Sequence, residues 1–297
     1  MDNRTGFAPL RVAVASGKGG TGKTSLAVAL ALSASASVRV RLVDLDVEAP
    51  DSLAYLPDAV ASGERRTVEI AVPAVDRDAC DSCGLCARAC RFGAILVLPG
   101  VTQIDTNLCK GCGRCVRVCP RKALTERPVE AGSVQSYEHG SLSVIEGRLR
   151  PGDVRVTAVI DGALSAASGI PADLEIRDCP PGATCPLTRS LRGADYAVLV
   201  AEPSAYSAHD LVAAARVVRE MGIPGGIVVN KAGASSPELD AAIAGSGLVP
   251  LGSVPFDADL AREGADAKPW RMDGPAGPAV RAVLDALKAL EASRRTA

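Results

Sequence analysis

Ten cysteines stand in a chain of 297 residues, and eight of them fall into two identical runs. Cys80, Cys83, Cys86 and Cys90 form the first; Cys109, Cys112, Cys115 and Cys119, followed by Pro120, form the second. Thiolates are soft ligands, and the Cys-x2-Cys-x2-Cys-x3-Cys phrase is the ligand code of cubane iron–sulfur clusters. A second chemistry lies upstream, at Ser16-Gly-Lys-Gly-Gly-Thr-Gly-Lys-Thr24. Its glycines let backbone N–H groups wrap phosphates, and the helix after it adds its positive end. Gly17, Gly19, Gly20, Thr21, Gly22, Lys23, Thr24 and Ser25 are therefore the candidate nucleotide contacts. Lys23 is expected on the β- and γ-phosphates and the Thr24 hydroxyl on Mg²⁺.

The cysteine runs resemble bacterial two-cluster ferredoxins. In such a module the fourth cysteine of each run ligates the other cluster. One 4Fe–4S cluster is then assigned to Cys80, Cys83, Cys86 and Cys119, the other to Cys109, Cys112, Cys115 and Cys90. Two structural zinc sites are the competing reading, since four thiolates also suit zinc. The first run departs from the pattern at Arg91, where proline is missing. Arg88, Arg91, Lys110, Arg114, Arg117, Arg121 and Lys122 make the segment basic; they either attract an acidic redox partner or solvate the surface.

Lys18 is a second lysine near the start of the phosphate loop, and here the chain resembles the MinD/ParA family of P-loop ATPases, to which the nitrogenase iron protein also belongs. The resemblance implies ATP hydrolysis by a nucleotide-sandwich dimer, with Lys18 reaching the partner's phosphates. Asp44-Leu-Asp46 resembles the family's first switch. That implies that Asp46 orients the attacking water and Asp44 supports the metal. Asp178-Cys-Pro-Pro-Gly182 matches the second phosphate-site motif, with Asp178 near Mg²⁺. Asn230, Lys231, Pro255, Phe256 and Asp257 correspond to positions near adenine. ATP is expected over GTP because Asn230-Lys-Ala-Gly233 lacks the aspartate of a guanine-reading motif. Cys185 shares its offset from Asp178 with a cluster ligand of the nitrogenase iron protein. It is therefore a candidate, with Cys179, for a further cluster or metal between protomers, against the plainer reading of buried structural cysteines.

These groups need a scaffold. Leu10–Ala15, a helix at Ser25–Ser33 and a strand at Val38–Val43 make the strand–loop–helix–strand opening of a parallel, helix-covered sheet. Further strands are expected at Leu142–Ile145, Val154–Ile160, Leu174–Arg177, Tyr196–Ala201, Gly226–Asn230 and Leu251–Pro255. Helices are expected at Ser207–Met221 (capped by Ser207), Pro237–Ala244 and Gly277–Glu291. From Val72 to Thr125 no helical or strand period stands out. The fold class is thus α/β, a doubly wound, mostly parallel sheet: residues 1–71 and 127–297 form the ATPase domain and 72–126 an inserted ferredoxin domain.

Composition narrows the rest. With 33 basic and 34 acidic residues, nothing calls for nucleic acid. No run approaches the roughly 20 apolar residues of a membrane span, and Met1–Pro9 lacks the regions of a secretory signal. The cytoplasm is expected, where clustered cysteines stay reduced. The last helix puts Val280, Val283, Leu284, Leu287 and Leu290 on one face, read as core packing rather than membrane binding. His209, beside Asp210, is read as structural, and His139 carries little information.

Three functions follow. The first is a homodimer, or a heterodimer with a paralogue, coupling Mg-ATP to electron transfer or cluster handling with a protein acceptor. The second is a MinD/ParA-like spatial organiser with a redox-sensing module, which the near-neutral charge disfavours. The third, an amide-forming synthetase related to cobyrinic acid diamide synthases, would need a glutamine-hydrolysing domain for which the chain has no room.

Overall fold

Short runs of Val, Leu, Ile and Ala become inner strands of a parallel sheet because helices cover both of their faces. The computed structural model describes residues 8–233 and 236–296; most of the stretch read for a leader lies outside them. It begins with β1 (Leu10–Ala15), α1 (Lys23–Ser35) and β2 (Val40–Asp44), then a 3-10 turn at Ser52–Tyr55 and a long β3 (Val60–Val75). Four short elements follow: α2 (Leu85–Ala89), β4 (Ile95–Leu98), β5 (Val101–Ile104) and α3 (Arg114–Arg117). The chain returns through β6 (Leu124–His139), β7 (Leu142–Leu149) and α4 (Val156–Ser168). Alternation then resumes with β8 (Leu174–Asp178), α5 (Cys185–Ser190), β9 (Tyr196–Ala201) and α6 (Ala205–Glu220). It ends with β10 (Gly225–Ala232), α7 (Pro237–Ser246), β11 (Val249–Pro255), α8 (Ala258–Ala265) and α9 (Gly277–Thr296).

Among the described residues one sheet has nine strands, in the order β11-β10-β9-β1-β8-β2-β7-β6-β3. Every neighbouring pair from β11 to β7 is parallel. The pairs β7–β6 and β6–β3 are antiparallel. β1 lies between β8 and β9, which come much later in the chain, so the winding reverses there. A crevice opens at such a point, outside the carboxyl ends of the strands.

Three buried clusters hold the layers. Leu26 and Leu30 of α1 meet Val280, Val283 and Leu287 of α9 over one face, so the last helix packs into the core as expected. Leu211, Ala214 and Val218 of α6 cover the other face. Val159, Ile160, Ala163 and Ala167 of α4 close over Val43, Val134 and Ile145.

Two expectations are corrected. Val154–Ile160 is not a strand: residues 156–168 form α4. Its buried positions 159, 160, 163 and 167 follow the helical period, which outweighs the β-branched composition of Val156-Thr-Ala-Val-Ile160. The cap of α6 is Ser204, whose hydroxyl accepts from the Ser207 N–H; the Ser207 hydroxyl instead accepts from the Glu202 N–H at 3.0 Å.

The segment between residues 60 and 139 is also more regular than its composition implies. β3 and β6 pair from Val60↔Glu138 to Val75↔Leu124, and their far end carries both cysteine runs. This pairing continues without a break through Val72 and Glu126. Lys110 ties the cysteine-bearing segment to the connection between β7 and α4 by donating to the Val154 carbonyl at 2.5 Å.

Candidate functional site

The phosphate loop leaves the end of β1 and enters α1 at Lys23. Gly22 caps that helix at φ 91°, a left-handed conformation that L side chains rarely adopt. A Cβ there would also stand 2.3 Å from the Asn230 amide nitrogen. Asn230 holds the loop by donating to the Thr21 carbonyl at 2.8 Å, and Lys231 donates to the Gly20 carbonyl at 2.9 Å. Both side chains, expected near the base, therefore brace the phosphate loop.

Three carboxylates gather around one ammonium. Asp44 ends β2, Asp178 ends β8, and Asp46 follows two residues after Asp44. Lys23 donates to Asp46 Oδ2 at 2.7 Å and lies 3.7 Å from Asp178 Oδ1. Burial works against the Lys23 charge, but the fields of Asp178 and Asp46 outweigh it and raise its pKa. Burial, then the charge of Asp178, pushes Asp44 well above the usual carboxylate range. Asp44 accepts from the N–H groups of Asp46 (3.1 Å) and Ser52 (3.0 Å). Burial lifts Asp178 to about 6, with Lys23 opposing it. Both Asp178 oxygens are buried without a hydrogen-bond partner among the described residues, as is the Thr21 hydroxyl. The orphaned Asp178 carboxylate, with Asp44 and Asp46 near the same ammonium, can meet a hydrated divalent cation through water rather than by direct three-carboxylate ligation.

Lys18 is half-buried and forms an ion pair with Glu202, the residue after β9. Glu202 also takes Lys231 at 3.0 Å. Burial would raise the Glu202 carboxyl, but hydrogen bonds from Lys18 and Lys231 hold it below its ordinary value. Of the other expected base contacts, Phe256 is 66% exposed, and Asp257 caps α8 by accepting from the Leu260 N–H at 2.8 Å. Pro255 ends β11.

The cysteine runs fold as two matching halves. α2 and α3 each open on a left-handed glycine, Gly84 and Gly113. Arg88 donates to the Cys83 carbonyl and Arg117 to the Cys112 carbonyl. One hollow is lined by Cys80, Cys83, Cys86 and Cys119, the other by Cys109, Cys112, Cys115 and Cys90. Cys90 and Cys119 each accept an N–H from four residues on, Ala94 at 3.4 Å and Ala123 at 3.3 Å. Cys109 accepts from Gly111 at 3.4 Å. Among the described residues no three acidic, histidine or cysteine side chains converge closely enough to hold a single metal ion.

The remaining two cysteines part company. Cys179 lies wholly in the core beneath α6, where burial and then the charge of Asp178 push its thiol up to about 12. Cys185 starts α5 on the surface.

Residues 12–270 match the family described as the CobQ/CobB/MinD/ParA nucleotide binding domain. The chain belongs to that family. It is 29% identical over 254 residues to protein MJ0578 of Methanocaldococcus jannaschii, covering 84% of this chain and 86% of the relative. It is 27% identical over 228 residues to MJ0579 of the same organism, with 77% and 82% covered. The fold is shared with the septum site-determining protein MinD of Pyrococcus horikoshii, solved with Mg-ADP (TM-score 0.54, 17% identity, 91% and 93% covered). It is also shared with the cell division ATPase MinD of Pyrococcus furiosus (TM-score 0.56, 18% identity, 94% and 98% covered).

Within this MinD/ParA fold, sequence reasoning passed over three residues of the site. Glu202 follows a buried apolar strand just as Asp44 and Asp178 end theirs, and that position was its signal. Ser52 and Tyr55 offered none, because their turn has no apolar period. Tyr55 shares a hydrogen bond with Ser25 at 3.0 Å, so the turn that follows Asp46 is tied to α1. The geometry of Gly22 gives a direct prediction. Gly22→Ala is expected to cost about 1–3 kcal/mol of stability from the backbone alone. Nucleotide affinity is expected to fall as Asn230 is displaced; thermal melts and nucleotide titration of the variant check both.

Proposed function

We propose that this chain binds and hydrolyses Mg-ATP as a dimer and couples its nucleotide state to cysteine-held 4Fe–4S clusters, in electron transfer or cluster handling. The observation that carries the reading is the crossed lining of the two hollows, three thiols from one run and the fourth from the other. Three thiols from one run and the fourth from the other is the ligand sharing that two-cluster ferredoxins use. Cys80, Cys83, Cys86 and Cys119 would hold one cluster and Cys109, Cys112, Cys115 and Cys90 the other. Such clusters supply one-electron chemistry. The exposed Cys185 stays a candidate ligand between protomers, whereas the protonated, buried Cys179 is better suited to packing.

At the nucleotide site, Mg²⁺ would be held by the Thr24 hydroxyl, with Asp44 and Asp178 acting through water, and would draw charge from the phosphates. Lys23 is paired with Asp46 at 2.7 Å. Arriving phosphates compete for Lys23, and its turn toward them frees the Asp46 carboxylate to orient the attacking water. Lys18 must likewise leave Glu202 before it can reach a partner's phosphates. The base would lie beside Asn230, Lys231, Pro255, Phe256 and Asp257. The Mg-ADP in the structure of the P. horikoshii MinD supports an adenine nucleotide. The basic surface of the cysteine module suits an acidic protein acceptor. Among the described residues no helix is long and apolar enough to cross a membrane.

Anaerobic purification, followed by iron analysis and EPR with and without Mg-ATP, tests the proposal. Two cubanes give about eight irons per chain, and coupling shifts the cluster signal or potential when Mg-ATP binds. A folded, oxygen-protected chain without iron overturns the cluster reading. The role of Lys18 has its own test. Lys18→Ala is expected to leave monomer affinity for Mg-ATP within about threefold while slowing hydrolysis about 10³-fold, as loss of an in-trans cation does. Single-turnover hydrolysis measured against protein concentration separates the two quantities.

A further inference from the structure

A cavity of about 440 Å³ opens beneath the 3-10 turn, over the antiparallel edge of the sheet and apart from the phosphate loop. That size falls within the roughly 300–1,000 Å³ of small-molecule sites. Pro50, Leu53 and Ala54 form its apolar wall, and Arg65 of β3, Tyr137 of β6 and Arg148 of β7 form the other side. The two arginines differ in their partners. Arg148 is neutralised by the buried Glu146 at 3.0 Å. Arg65 rests Nε and Nη2 on the neutral hydroxyl of Ser133, at 2.9 and 2.7 Å. No carboxylate among the described residues pairs with Arg65. The cavity therefore presents one uncompensated cation facing an apolar wall, with the Tyr137 phenol also in its lining. A carboxylate can take two parallel N–H donors from such a fork, displacing the weaker hydroxyl acceptor.

The wall is also connected to the nucleotide site. Within the turn that supplies Leu53 and Ala54, the Ser52 N–H donates to Asp44 and the Tyr55 hydroxyl bonds Ser25 of α1. Anything that shifts the turn shifts both groups.

We propose that this cavity binds a small organic monoanion, with its carboxylate on Arg65 and its apolar body on Leu53 and Ala54, and that its occupancy is coupled to nucleotide binding. The coupling rests on the function proposed above; the binding does not. Coupling must be reciprocal, so Mg-ADP changes the affinity of the anion by the factor with which the anion changes that of Mg-ADP.

Calorimetry on the full chain tests this with benzoate and hexanoate as probes and benzamide and hexanamide as uncharged controls. Without nucleotide, at least one carboxylate is expected to saturate the protein at millimolar concentration or below, with its amide about tenfold weaker or more. Arg65 is exposed on an edge strand, so Arg65→Gln is expected to fold; it weakens the carboxylate about tenfold, and Arg65→Lys restores part of the loss. Ala54→Phe, which fills the cavity and leaves every charge in place, is expected to abolish binding. Failure of both carboxylates to saturate, or equal affinities in Arg65→Gln, overturns the site. Anion binding that leaves the Mg-ADP affinity unchanged overturns the coupling. A chain that binds the anion but no Mg-ADP supports the cavity and strikes the nucleotide reading instead.

Discussion

Asp178→Asn is expected to stabilise the nucleotide-free protein at neutral pH and to disable it as an ATPase. The wild-type carboxylate is buried, lies 3.7 Å from its nearest cation and accepts no hydrogen bond among the described residues. Burial lifts its pKa from 3.8 to about 6. The folded chain therefore binds the Asp178 proton more tightly than the unfolded chain. That proton contributes stability fully below about pH 4, and the contribution is lost as pH rises through about 6. At neutral pH the ionised group carries the whole penalty, on the order of 2–3 kcal/mol from the size of the shift. An amide removes that charge. The melting-temperature advantage of the variant should be full above pH 6 and vanish toward pH 4. Hydrolysis should fall about 10²-fold or more, because an amide is a poor outer ligand for a hydrated cation. A variant less stable than wild type at neutral pH would show that Asp178 is satisfied in a way the folded geometry does not reveal.

This opposition of stability and chemistry explains why the nucleotide site was legible in the sequence. Residues such as Asp44, Asp178 and Lys23 are poor choices for burial, so their presence at the ends of apolar runs pointed to a site. The central strands were readable for the complementary reason: β9, buried on both faces, is Tyr-Ala-Val-Leu-Val-Ala, with no competing signal. The antiparallel edge was harder. β3 and β6 face solvent along much of their length, and residues such as Glu64, Arg65 and Arg66 dilute the alternation on which a strand reading depends. Their pairing is a long-range fact, settled by a partner some sixty residues away and invisible to a local window. α4 failed in another way, since β-branched residues at its start masked a helical period that only its later turns complete. The bracing of the phosphate loop by Asn230 and Lys231 likewise joins residues more than two hundred positions apart, and no spacing rule reaches that far.

The crossed lining of the two hollows leads to the second large effect, which pairs of substitutions isolate better than single ones. Cys119 lines the hollow of Cys80, Cys83 and Cys86, although its neighbours in sequence line the other. Cys119→Ser alone is expected to lower iron from about eight to about four atoms per chain, by loss of one cubane. Adding Cys83→Ser to Cys119→Ser should remove no more, because the proposed assignment gives both residues to the same cluster. Adding Cys112→Ser to Cys119→Ser should strip the chain of iron, because one ligand of each cluster is then gone. If each run instead served its own cluster, the outcomes would be reversed: Cys83 with Cys119 would empty both sites and Cys112 with Cys119 only one. Non-additivity of this kind reports shared membership of a site directly. Melting curves of the same variants show whether the surviving cluster still holds the end of the β3–β6 ribbon. The halves share α2–α3 packing and a core of Ile95, Cys115 and Leu124, so losing one cluster is expected to loosen the module without unfolding the sheet.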